Sequence, residues 1–197
     1  MLNEGSSYAP TEEGDLVNKG TGTNYGLELT IEKFFPHGYY ALLTGSIYEA
    51  KYRPGDNIGR NTAFNGNFVY NILAGKEFKV GKAKRNAIII DLKFSHAGGR
   101  YYTPVDPEAS RAAGKQVLMG DAYAFSERYP DFYRLDVKTG FTYNSKKLKL
   151  TQSFFIDIQN VTGHQNVFAQ QYNPYTHQVN TLYQIGFYPN FICKIQF

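Results

Sequence analysis

Apolar and polar residues alternate along most of this chain with a period of two. The final sixteen residues, LYQIGFYPNFICKIQF, put Tyr183, Ile185, Phe187, Phe191, Cys193, Ile195 and Phe197 on one side and Gln184, Gly186, Asn190, Lys194 and Gln196 on the other. Such a pattern makes a strand with one greasy and one wet face. Strands of water-soluble sheets usually run about five or six residues, whereas a strand tilted across a bilayer needs roughly ten. The length of the alternation therefore points to a membrane-spanning strand.

About seven segments read this way. The first is predicted over Thr23 to Phe35, with Tyr25, Leu27, Leu29 and Ile31 opposite Glu28, Thr30 and Glu32. The second covers Tyr39 to Arg53; its aromatic phase assigns Tyr40, Leu42, Tyr48 and Tyr52 to the apolar face, leaving Leu43 and Ile47 on the wet side with Glu49, Lys51 and Arg53. Phe68 to Val80 forms the third, its apolar face interrupted by Lys76, and the fourth starts near Asn86, with Ile88, Ile90, Leu92 and Phe94 opposite Asp91, Lys93 and Ser95. Phe132 to Tyr143 is the cleanest, and Leu148 to Asn160 follows it across the turn NSKK to make a long hairpin. The terminal strand is the seventh.

The connections alternate short and long. Tight breaks are expected at Pro36, His37 and Gly38, at GKAKR and at NSKK, and longer ones at PGDNIGRNTAFNGN, from His96 to Asp131, and from Gly163 to Thr181. Outer-membrane barrels show this asymmetry, with short periplasmic turns and extended extracellular loops. The predicted fold class is therefore all-β: an antiparallel transmembrane β-barrel segment of about seven long strands, residues 23–197, preceded by an extracellular loop remnant at residues 1–22. An odd strand count cannot close antiparallel on itself, and the first twenty residues carry neither a basic n-region nor an apolar h-region. Both features lead to the expectation that the chain is the C-terminal portion of a larger barrel.

Composition narrows the function classes. Tyr 17 and Phe 15 against Trp 0 and Met 2 make an aromatic-rich inventory, and the net charge of +4 comes from interleaved signs, so no nucleic-acid partner is expected. A single cysteine, Cys193, excludes an internal disulfide and a Cys-based zinc site. The histidines His37, His96, His164 and His177 lack close ligand spacing, so no metal site and no cofactor is expected, although His164 and His177 share one loop. Neither a serine elbow nor a phosphate loop is present, and the chain is not expected to be an enzyme, even with Asp121, Asp131 and His96 near one long connection.

The stretches GTGTNYGLELTIEKFF, GYYALLTGSIYEAKY, NTAFNGNFVYNILAGKEFKVG, RYPDFYRLDVKTGFTYN, FFIDIQNVTGHQNVF and YQIGFYPNFICKIQF, in that order, resemble the C-terminal barrel strands of TonB-dependent receptors. The similarity is to the Bacteroidetes type, which often carries an N-terminal carboxypeptidase-like regulatory domain, and it spans Gly20 to Phe197. It implies a barrel of about 22 strands closed by an internal plug, which takes up a scarce nutrient with energy passed through TonB. Its implied partners are outer-membrane lipid, the barrel-assembly machinery, an unknown nutrient ligand and, in the full-length protein only, TonB and the plug domain. Without a plug the fragment is expected to be inactive.

Phe197, with Ile195 and Phe191 behind it, resembles the aromatic signal read by the barrel-assembly machinery. Asp91, Lys93, Arg134, Asp136, Lys138 and Asp157, together with Lys149, are expected to line the lumen and to pair across strands. Tyr101, Tyr102, Tyr123 and Tyr129, with Phe125, gather around the longest connection. They suit either stacking on a ligand or an interfacial aromatic girdle. Two other architectures fit the alternation: a small complete outer-membrane barrel with a structural or adhesive role, and a lipocalin-like carrier with its greasy face inward.

Overall fold

The computed structural model describes residues 19–81, 83–145 and 150–197. Seven long strands form one antiparallel meander: β1 (Thr21–Phe34), β2 (Tyr39–Arg53), β4 (Phe68–Val80), β5 (Asn86–Ala97), β8 (Phe132–Ser145), β9 (Leu150–Gln159) and β12 (Tyr188–Gln196), each paired with the next along the chain. The short strand β3 (Arg60–Asn61) adds to the upper end of β2. Two small ribbons lie off the sheet, β6 (Tyr101–Tyr102) with β7 (Glu127–Arg128) and β10 (Val167–Asn173) with β11 (Gln178–Tyr183). All-β architecture and sequential antiparallel pairing are as the alternation predicts. Among the described residues β1 and β12 do not pair with each other, so the sheet is open. The turn at 146–149, Lys149 and most of the expected loop remnant lie outside the described residues.

Register decides which face each side chain joins. Leu27 sits opposite Ile47 and Ile31 opposite Leu43, and Ile47 and Leu43 in turn face Phe68 and Ile72. The apolar face of β2 is therefore the one carrying Leu43 and Ile47. Tyr40, Leu42, Tyr48 and Tyr52 occupy the other face, reversing the expectation drawn from the tyrosines. A strand with large residues on both sides has no phase of its own, and its neighbours set it. On β4, β5, β8 and β9 the predicted faces hold.

The terminal segment also differs from expectation. Its alternation runs through two elements, because Tyr183 closes the β10–β11 ribbon by pairing with Val167. Only Tyr188–Gln196 pairs with β9. Gln184 donates its N–H to the Asn166 carbonyl at 2.8 Å, which turns the chain away from the ribbon before β12 begins. The long stretch after β5 is likewise ordered, and holds the helix α1 (Pro107–Ala113). Asp106 caps it, accepting from the N–H groups of Glu108 at 3.0 Å and Ala109 at 2.9 Å, and Gly114 ends it in the left-handed region at φ 66°.

Exposure is inverted relative to a water-soluble sheet. On the polar face Asp136 is 8% exposed and Ser153 is 6%, whereas on the apolar face Leu27 is 83% and Phe154 is 52% exposed. The apolar band continues through Leu29, Ile31, Ile72, Ile88, Ile90, Leu92, Phe141, Ile156, Phe191 and Ile195, all exposed. From β2 to β9 the sheet thus shelters its polar side and presents its apolar side outward, while the edge strands β1 and β12 are exposed on both faces apart from Asn190. No helix among the described residues is long and apolar enough to cross a membrane, which says nothing of strands.

Candidate functional site

Two regions collect the chemistry, a charged patch on the polar face and a cleft among the long connections. Strands β5, β8 and β9 build the patch. Their register places Asp91 opposite Lys138, Lys138 opposite Asp157 and Lys93 opposite Asp136. All six expected charges, Asp91, Lys93, Arg134, Asp136, Lys138 and Asp157, border one hollow of about 240 Å³ with Leu73 and Gln159. The ion pair that closes is along a strand rather than across strands: Arg134 Nε lies 2.9 Å from Asp136. Asp136 also accepts the Asn160 N–H at 2.9 Å. Asp91 instead accepts from the Tyr40 hydroxyl, and the Lys138 ammonium sits 4.5 Å above the Phe155 ring. Among the described residues, the ion pairs expected across these strands do not close; Arg134 and Asp136 pair along β8, and Asp91 and Lys138 contact aromatic residues instead.

Above this patch the long connections interlock. Buried Asn160, at φ 50°, donates through Nδ2 to the His164 carbonyl at 2.8 Å and accepts the His164 N–H at 3.1 Å. Asn166 mimics a strand, with Oδ1 accepting the Tyr133 N–H at 3.0 Å and Nδ2 donating to the Tyr133 carbonyl at 2.9 Å. Arg128 donates to the carbonyls of Gly99 and Gly66, each at 3.0 Å. Asp131 accepts the Gly99 N–H at 2.9 Å. Arg60 grips Asp56 at 2.7 Å and donates from Nε to the Asp121 carbonyl at 3.1 Å. The Arg60 hydrogen bonds hold the Asp56 carboxyl below the usual carboxylate range.

These braces leave a cleft of about 330 Å³, bordered by Tyr101, Tyr102, Tyr129, Arg100, Gln116 and Gln170, with Phe125 and Phe168 among its apolar walls. Tyr102 and Tyr129 stack with centroids 4.0 Å apart and planes 9° from parallel. Gln170 ties both to the β10–β11 ribbon, its Nε2 donating to the Tyr102 hydroxyl at 3.2 Å and its N–H to the Tyr129 hydroxyl at 3.1 Å. Burial pushes both phenols above their ordinary values. Arg100 and Phe168 also border a second hollow of about 840 Å³ that reaches Arg134 and Asn160. The cleft and the charged patch are therefore linked through Arg100 and Arg134.

Of the four tyrosines singled out in the sequence, Tyr101, Tyr102 and Tyr129 meet in the cleft, while Tyr123 is exposed and does not border it. Arg100 and Gln116 share the long connection of the tyrosines and Gln170 comes from β10; none of the three carried a sequence signal, because their polar side chains gain a role only where the connection folds back against the β10–β11 ribbon. His164 stacks on Tyr133 at 3.6 Å, and His177 Nδ1 lies 2.9 Å from the Tyr172 hydroxyl, so the two histidines have separate partners. His96 Nε2 is 3.9 Å from Asp131, and the Asp121 carbonyl is engaged elsewhere by Arg60. Phe191 and Ile195 lie on the exposed apolar face of β12, and Phe197 follows them, fully exposed. No protein-family model matches the chain, and no curated protein and no solved structure was found to match it.

Proposed function

We propose that this chain forms the C-terminal strands of the outer-membrane β-barrel of a TonB-dependent receptor, and that the intact receptor takes up a scarce nutrient. The observation that carries the reading is the inverted exposure of the sheet: the charges of β5, β8 and β9 sheltered on one face, and a continuous apolar band outward across all seven long strands. In water that band would cost about 25 cal/mol for every Å² of apolar surface left exposed, whereas lipid chains accept it. Placing every long connection at one end of the meander gives the outer rim of such a barrel, where the tyrosine cleft would meet its ligand. The edges of β1 and β12, unpaired among the described residues, suit strands of a wider wall. In this reading the charged patch lines the lumen and faces the plug.

Cys193, the single cysteine, supplies the test. It is exposed on the apolar face of β12. The urea-unfolded chain is diluted into plain buffer and into phosphatidylcholine vesicles, β-structure is followed by far-UV circular dichroism, and thiols are counted with a water-soluble maleimide. The expected result is β-structure in the vesicles with Cys193 protected from the reagent. A monodisperse, β-rich state in buffer alone, with Cys193 freely labelled, would overturn the proposal.

A further inference from the structure

The outward face carries a feature that barrel formation alone does not require. Along it, Glu49, Lys51 and Arg53 stand at the upper end of β2, beside the long connections. Below them, Lys33 on β1 and Lys76 on β4 are the full charges among the described residues of the apolar band. An ammonium group among apolar side chains in a membrane is costly and tends to mark a site.

Lys76 is held in place rather than left to wander. Its Nζ donates to the Tyr39 hydroxyl at 2.5 Å. The same ammonium lies 4.0 Å from the Tyr39 ring centroid and 4.5 Å from that of Phe78. Among the described residues no carboxylate lies within ion-pair distance of it, so the ammonium is met by a hydroxyl and two ring faces but neutralised by no anion of the protein. Tyr39 is the first residue of β2, directly after the turn at Pro36–Gly38, and it pairs with Lys76 in register. This places the ammonium at the short-turn end, at the depth where aromatic rings and lysines meet lipid headgroups.

Lys33 belongs to the neighbouring cross-strand row, opposite Ala41, and Ala41 is opposite Ala74. Two strand spacings and one two-residue step put the Cα atoms of Lys33 and Lys76 on the order of 12 Å apart, a span that two lysine side chains close around one phosphate. The two alanines between them leave a shallow lane that runs up to Leu43 and Ile72 on the apolar face. The geometry combines two unneutralised cations, a hydroxyl and an apolar lane. We infer that Lys76, Tyr39 and Lys33 form a binding site for the phosphodiester headgroup of an anionic membrane lipid, one of whose acyl chains lies over Ala41 and Ala74.

The inference rests on the membrane reading above, and its test separates the two. The chain is refolded into vesicles of phosphatidylcholine alone and of phosphatidylcholine with a minority of phosphatidylglycerol, extracted in mild detergent, and examined by native mass spectrometry for retained lipid. The expected result is folding in both vesicles and preferential retention of phosphatidylglycerol. Lys76→Gln should lower that preference about fivefold, as expected for one lysine at a lipid surface, and Lys33→Gln should lower it by a similar factor. Lys84→Gln, in the exposed turn after β4, should leave it unchanged.

Folding in both vesicles without any preference would overturn the lipid site and leave the membrane reading standing. Failure to fold in either would overturn both. An equal loss from Lys84→Gln would reduce the effect to diffuse charge, and displacement of the lipid by inorganic phosphate would assign the cations to free phosphate; either result overturns the inference. Should Lys76→Gln not fold, retention by the unaltered chain across a series of phosphatidylglycerol fractions decides the question.

Discussion

Gly140 on β8 offers a sharp test of how the polar face is packed. It lies opposite Phe155 of β9, and the Phe155 ring covers it while carrying the Lys138 ammonium at 4.5 Å. A methyl group added at Gly140 would run into that ring and stand 2.7 Å from the Phe154 carbonyl oxygen. In an open strand Gly→Ala would stabilise by about 0.4–1 kcal/mol, through the unfolded chain. Here overpacking costs about 1–3 kcal/mol, and displacing the ring from Lys138 about 0.5–1 kcal/mol more. Gly140→Ala should therefore destabilise by about 1–3 kcal/mol, opposite in sign to the intrinsic preference. In a Phe155→Ala background the ring is gone and only the close approach to the Phe154 carbonyl remains, so Gly140→Ala should cost distinctly less. Urea unfolding of the vesicle-refolded chain, followed by circular dichroism, gives the four free energies of the cycle, with an expected coupling of about 2 kcal/mol. Equal effects of Gly140→Ala in both backgrounds would refute the argument, because they would mean that the ring does not occupy that space.

Further expectations concern the loop end. Asn160→Ala removes the paired bonds to His164 and places a Cβ-bearing residue without a polar side chain at φ 50°; it should cost about 1–3 kcal/mol for the lost bonds and about 1 kcal/mol for the backbone. Asn160→Gly should recover only the second part, and unfolding midpoints of the two variants read the difference. The phenols of Tyr102 and Tyr129 are raised by burial. Their contribution to stability is therefore present below the ordinary phenol value of about 10 and is lost as pH rises through their higher folded values. In an alkaline titration followed by phenolate absorbance, Tyr102→Phe and Tyr129→Phe should remove only late-titrating signal; loss of early signal would contradict the buried cleft.

Much of the sheet was legible in the residues. Alternation alone placed β2 at Tyr39–Arg53 and β4 at Phe68–Val80 with the ends the structure has, because Pro, Gly and Asn clusters punctuate those strands and a period of two needs no distant partner to be seen. It also placed the six charges of β5, β8 and β9 on one face, where they border a common hollow. What escaped was whatever depends on a partner. The phase of β2 was set by Leu27 and Ile31 on β1 and by Phe68 and Ile72 on β4, since Tyr40, Tyr48 and Tyr52 made its two sides locally equivalent. The unbroken pattern from Leu182 to Phe197 hid a change of partner, from β10 to β9, that no local property records. Tyr102 and Tyr129 lie at opposite ends of one long connection that also supplies Arg100 and Gln116, but the Gln170 that positions them comes from the β10–β11 ribbon. The sequence determined the strands, their greasy and wet sides over most of the sheet, and the alternation of short and long connections, because each is encoded within a few consecutive residues. The register, the contacts that take up the charges and the shape of the cleft were decided only by the tertiary structure, because each depends on side chains that meet across the sheet or between connections.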